Sequence, residues 1–172
     1  GLSLNTAYTF TVTATNAAGT SAASAPSSAI SWAAVPAANI PTPGPWNGIF
    51  DGTYLWVSND TTDSVAKINV ATNTVVATIA VGDAPTSFAY DGTNVWVTNF
   101  YGGTVSKINT ATNTVTATLA TGSNPYGIAF DGSSIWVANT GSNTLSKINP
   151  TTNAITTVSV SNNPTEMTYA FG

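Results

Sequence analysis

Three tripeptides, Phe50-Asp51-Gly52, Tyr90-Asp91-Gly92 and Phe130-Asp131-Gly132, fall 40 residues apart, and that interval constrains the fold more than any other feature. Trp56-Val57-Ser58-Asn59, Trp96-Val97-Thr98-Asn99 and Trp136-Val137-Ala138-Asn139 keep the same spacing, as do Lys67-Ile68-Asn69, Lys107-Ile108-Asn109 and Lys147-Ile148-Asn149. Self-similarity at this period marks supersecondary units that bury their apolar faces by stacking on one another. Pro45, Pro85 and Pro125 open the three units; Pro164, one residue early, opens a fourth that runs for one strand's length to Gly172.

The second unit parses into four short strands separated by turn chemistry. Residues 86–90 lead to Asp91-Gly92; residues 94–99 surround Val95, Trp96 and Val97; residues 104–109 form a third strand. Ala111-Thr112-Asn113 then turns the chain, with Asn113 suited to a positive φ, and residues 114–121 alternate as a fourth strand. No 3.6-residue period appears and Thr dominates, which argues against helix. Four strands in about 40 residues is the size of one propeller blade. The inner strands are apolar on both faces and the last has a polar side, as expected for blades stacked face to face with the fourth strand outermost.

On Pro125-Tyr126-Gly127-Ile128-Ala129-Phe130-Asp131-Gly132, the Trp-Val-x-Asn strands and the Ala-Thr-Asn-Thr-Val turns, residues 43–172 resemble the YVTN family of β-propeller repeats, with Trp in place of the more usual Tyr. The resemblance implies an all-β fold: a partial β-propeller of about three four-stranded blades, at 45–84, 85–124 and 125–163, with the first strand of a further blade at 164–172. Such repeats occur in surface-layer proteins, enzymes and binding proteins, so it implies little about activity.

Residues 1–32 read differently. Tyr8, Phe10, Val12 and Ala14 alternate with threonines as one half-buried strand, Asn16-Ala17-Ala18-Gly19 turns, and a Ser/Ala/Pro-rich strand runs to Ile30. With Leu2 placed six residues before Tyr8 as in a tyrosine corner, this stretch resembles the last strands of a fibronectin type III module, and a β-hairpin is expected. Residues 33–44, with Pro36, Pro41 and Pro43, read as a stiff linker. Closed propellers have about four to eight blades. The chain is therefore expected to be part of a larger multi-domain protein, or to self-associate through open blade faces.

Charged residues make up 6% of the sequence against a usual share of about 25%, with Thr, Ser, Asn, Ala and Gly in their place. That neutral polar surface suits an exported bacterial protein, extracellular or on the cell surface. Three lysines and a net charge of −4 argue against nucleic-acid or anionic-membrane partners. No apolar run approaches the roughly 18 residues a membrane span needs.

Histidine and cysteine are both absent. Without them, Ser-His-Asp and Cys-His nucleophile systems fall away, as does Cys-ligated zinc. The Pro-x-Gly-Ile-Ala-x-Asp rhythm is also similar to streptogramin lyase propellers, but the catalytic histidine that resemblance implies is missing. A carboxylate pair such as Asp60 with Asp63 lacks any sign of a water-poor pocket. No enzyme activity, cofactor or metal is expected.

Asp51, Asp91 and Asp131 suggest calcium or catalysis, but each precedes Gly in a two-residue hairpin, where an Asp-Gly pair suits a type I′ turn. Lys67, Lys107 and Lys147 are expected to lay their stems along the blade and bring the ammonium to water or a neighbouring carboxylate. Trp56, Trp96 and Trp136 belong to the packing between blades. Asn59-Asp60-Thr61 fits a glycosylation sequon.

Positions that differ between repeats are the more informative ones. In a propeller, the loops between blades and those joining second to third strands share one face. Here they contain Trp46, Asp60, Asp63, Asp83, Phe100, Tyr101, Tyr126 and Glu166: four of the seven acids, no base, and several aromatics. That rim is the candidate binding surface, for a sugar, a cation or a protein. The expectation is a non-catalytic propeller scaffold for protein or glycan interaction; the alternative is the accessory region of a secreted polysaccharide-active enzyme.

Overall fold

The computed structural model describes residues 7–9, 11–16, 19–27, 30–31 and 40–168. The chain divides into two compact units, 1–39 and 40–172. In the first, β1 (Ala7–Tyr8) pairs antiparallel with β4 (Ile30–Ser31), and β2 (Thr15–Asn16) with β3 (Gly19–Thr20). Between them Ser21 N–H donates to Ala14 O and Ser24 N–H to Val12 O, so the expected hairpin forms. Of the residues expected on its half-buried face, Ala14 is exposed and Val12 is 71% exposed, while the side chains of Tyr8 and Phe10 lie outside the described residues. Leu2, Phe10 and Pro36 lie outside the described residues, so the corner and much of the linker do too.

The second unit holds three four-stranded antiparallel sheets, each made of four consecutive strands. The first contains β5 (Pro45–Phe50), β6 (Tyr54–Asn59), β7 (Ser64–Asn69) and β8 (Thr74–Ala80). The second contains β9 (Pro85–Tyr90), β10 (Asn94–Asn99), β11 (Thr104–Asn109) and β12 (Thr114–Ala120). In the third are β13 (Pro125–Phe130), β14 (Ile135–Asn139), β15 (Thr144–Ile148) and β16 (Ile155–Ser159). No helix occurs among the described residues. This is an all-β partial propeller, and its blades match the repeat read from the sequence. β9 neighbours both β5 and β13, which sets the first strand of each blade innermost.

The core lies between blades. Val95 and Val97 of β10 pack with Trp56, Val65 and Ile79 of the first blade; Trp96, between them in sequence, packs with Ile128, Ile135 and Val137 of the third. Alternation of side chains across the strand sends successive residues into different interfaces, which is why a middle strand is apolar on both faces. The outer strand β12 alternates exposed and half-buried residues along its length.

Beyond β16, residues 160–168 carry no assigned strand, although Gly127 N–H donates to Thr165 O at 2.9 Å. A Cβ on Gly127 would overlap Thr165 O, so glycine is what lets this segment run against β13. The remainder of the fourth unit, 169–172, lies outside the described residues.

Candidate functional site

The two ends of the blades differ in construction. At one end lie the Asp-Gly turns and the turns at Asn73, Asn113 and Asn153, built alike in all three units. Asp51 Oδ1 accepts from Thr53 N–H and Tyr54 N–H, and its Oδ2 accepts from Trp56 Nε1–H at 2.7 Å. Asp91 and Asp131 do the same with Trp96 and Trp136. The type I′ assignment is corrected here. That turn needs positive φ at both central residues, whereas only Gly52, Gly92 and Gly132 have it, at 98°, 92° and 90°. The aspartates stay at negative φ because their carboxylates, folded back on the backbone, do the work of closing the loop.

Burial raises the Asp51 and Asp91 carboxyl pKa values, but the hydrogen bonds from backbone and indole outweigh it and hold both below the usual range. For Asp131 the Trp136 indole is the largest influence, followed by Ser134 N–H, and the shift is also downward. These acids are committed to structure.

Each lysine lies cross-strand from the tryptophan of its blade, with Nζ 4.9, 5.0 and 5.1 Å from the Trp56, Trp96 and Trp136 rings. Lys67 Nζ also sits 4.2 Å from the Tyr54 ring. The ammonium then leaves its own blade. Lys67 Nζ donates to Thr110 O at 2.7 Å and Asn113 Oδ1 at 2.9 Å; Lys107 Nζ donates to Pro150 O and Asn153 Oδ1. Water or a carboxylate was the expected end point, and for these two the partner is instead a turn of the next blade. The turn can accept because Asn113 and Asn153, at φ 56° and 59°, aim their amide oxygens at the incoming cation. Lys147 is exposed, stacks on Trp136, and has no hydrogen-bond partner among the described residues.

At the other end the loops diverge. Trp46 and Asp60 of the first blade, Phe100 and Tyr101 of the second and Tyr126 of the third line one cavity of about 230 Å³. Its wall is largely apolar, and Ala84 and Thr86 complete it. Phe100 meets Tyr101 edge-on (centroids 5.1 Å, 76° between planes) and Tyr126 likewise (6.2 Å, 84°). Tyr101 is 73% exposed and Trp46 57% exposed, so the cavity opens to solvent between aromatic walls. Five of the eight rim residues thus come together.

The other three do not. Asp63 is turned to the scaffold, its Oδ1 accepting Ala84 N–H at 3.0 Å. Asp83 lies in the adjoining loop, its carbonyl accepting Gly102 N–H. Glu166 lines a neighbouring cavity of about 310 Å³ between the inner strands, beside Gly48, Ser87 and Gly127, and Tyr126 borders both. The sequon fails as a modification site in the folded chain, since Asn59 is 1% exposed and its Nδ2 donates to Ser64 Oγ.

Ala84 and Thr86 were not anticipated. The signal for Ala84 is positional: the residue before each blade-opening proline has positive φ, and it is Gly44, Ala84, Asn124 and Asn163 at 61°, 53°, 51° and 60°. Alanine is the costly choice there, by about 1–2 kcal/mol. Among the described residues no group of three or more acidic side chains is placed to hold a metal ion.

The chain is similar to Kuenenia stuttgartiensis hydrazine synthase at 25% identity (TM-score 0.68), covering 77% of this chain and 41% of that one. It is similar to a streptogramin B lyase at 20% identity (TM-score 0.61; 71% and 43%). A protein of unknown function from Desulfotomaculum acetoxidans is similar at 17% (TM-score 0.56; 67% and 41%). The chain therefore spans less than half the length of these structures, and the last two likenesses speak for the fold alone. No curated protein matches the chain. The YNCE-like β-propeller family matches over residues 82–170, more than half of the chain. With three blades in place and that match across the second and third, the chain belongs to the YNCE-like β-propeller family.

Proposed function

We propose that this propeller is a non-catalytic interaction platform, extracellular or on the cell surface, which takes its ligand at the loop end of the blades. Convergence of Trp46, Asp60, Phe100, Tyr101 and Tyr126 from three blades on one cavity carries the reading. Loops on a rigid scaffold are where binding residues concentrate, and aromatic walls supply contact area at little entropic cost. The lack of histidine and cysteine, and the commitment of Asp51, Asp91 and Asp131 to turns, favour binding over catalysis. Within this proposal the blades are YVTN-type repeats, residues 1–32 derive from a fibronectin type III-like module, and the ligand is a glycan or a protein segment.

Glycan and peptide arrays probed with the chain and with a Phe100→Ala/Tyr101→Ala variant test the reading. Signal on the parent that falls at least tenfold in the variant is expected. Signal that persists unchanged, or none on either array, would remove the loop-end site.

A further inference from the structure

Resting on that reading and narrowing it, we infer that the cavity walled by Trp46, Phe100, Tyr101 and Tyr126 is a cage for a quaternary ammonium group, with Asp60 as its counter-charge. Aromatic faces carry negative quadrupole potential, and several rings set at angles around one point attract a cation from more than one side. Phe100 stands near-perpendicular to both Tyr101 and Tyr126, and Trp46 closes the space from the first blade.

Other ligand chemistries fit less well. A hard metal ion takes six or more oxygen ligands, and this cavity offers one carboxylate. A primary ammonium would bring N–H groups that an apolar wall leaves unsatisfied, whereas an N-trimethyl cation brings none. A bare sugar needs a set of hydrogen-bonding partners, but the wall is largely apolar and the Thr86 hydroxyl is already engaged with Thr98 at 2.9 Å, so a glycan or protein segment would enter through an N-trimethyl group that it carries. An anion meets no base, since no lysine lines the cavity: Lys67 and Lys107 are tied to turns at the other end of the blades and Lys147 stacks on Trp136. Asp60 accepts no hydrogen bond among the described residues, so its carboxylate is free to face a cation.

Comparison among the repeats shows the cavity to be specific to its place. Trp46, Thr86 and Tyr126 are equivalent, so a small residue lies between two aromatics. Ala84 stands where the third blade has Asn124, whose Oδ1 lies 2.5 Å from where a Cβ on Gly141 would be. Gly141 is the equivalent of Tyr101. An asparagine at 84 would therefore compete with Tyr101 for space. The positive φ is common to all four units, and what is particular to this cavity is the alanine, which accepts φ 53° and, being small, makes room for the aromatic wall.

The test is calorimetric titration of the chain with choline and with its uncharged isostere 3,3-dimethyl-1-butanol. Choline should bind about tenfold tighter than the isostere, the size expected of a partly desolvated cation–π contact. Affinity for choline should fall about tenfold in Tyr101→Ala and severalfold in Asp60→Asn. An Ala84→Asn/Tyr101→Gly double variant copies the third blade's own arrangement, so it should melt like the parent and lose choline. Equal binding of choline and isostere, choline binding unchanged in the double variant, or none in the parent would overturn the cage. Array ligands lost in Phe100→Ala/Tyr101→Ala with no choline binding would sink the cage alone; failure of both measurements would sink the platform with it.

Discussion

The turn end and the loop end of the blades are built from the same repeat yet obey different rules. At the turn end, Asp, Trp, Lys and Asn recur in every unit and every polar contact of Asp51 is matched at Asp91 and Asp131. At the loop end the residues after the buried asparagine are Asp60-Thr61, Phe100-Tyr101 and Thr140-Gly141. Repetition marks what each blade needs in order to hold its neighbour. Divergence marks what the assembly is free to use, and there aromatic side chains from three blades gather beside an acid around one cavity.

The sharpest way to break that contrast is to cut the repeated side. Trp96→Ala removes a fully buried indole between two blades and should cost about 3–5 kcal/mol in urea unfolding; a loss below about 1 would mean the interface is not the core. Asp91→Ala strands the Trp96 indole and two backbone N–H groups, and a loss of about 1–3 kcal/mol is expected by the same measurement.

Acid titration examines the same three carboxylates together. Their folded pKa values lie below the unfolded ones, so the stability they contribute is present above the unfolded pKa near 4 and is lost as pH falls through the folded values. Replacing all three by Asn should flatten the decline of stability below about pH 4; an unchanged acid slope would contradict the assignment.

Lysine substitutions sharpen the comparison inside the repeat. Lys67→Met gives up two charged hydrogen bonds to the second blade and should cost about 1.5–3 kcal/mol. Lys147→Met gives up only its place on Trp136, about 0.5–1 kcal/mol. Equal losses in thermal or urea unfolding would show that the cross-blade contact contributes nothing. Smallest of all, Tyr101→Ala at the loop end should leave stability within about 0.5 kcal/mol of the parent.

Most of the propeller was legible because its signals are periodic. Strands parsed at 94–99 and 104–109 match β10 and β11 at both ends, and Asn113 takes the positive φ that its turn position calls for. What escaped was whatever depends on the next blade's position. Nothing local to Lys67 says that its ammonium will meet Thr110, 43 residues on. Likewise the eight rim residues could be named from loop positions, but their division between two cavities and the scaffold depends on where Asp63 and Glu166 point. Ala84 was missed for a different reason: an unremarkable side chain becomes informative only when its φ is known.

The lysine contacts have a direction. Both run from a blade to the one after it, and the second blade carries the donor Lys107 on one flank and the accepting Asn113 turn on the other. A duplicated unit therefore arrives with both halves of its own joint, and can be added to the row without any new residue having to evolve. A lengthening propeller of this kind keeps the same mortar while its open ends of the loops are left free to vary.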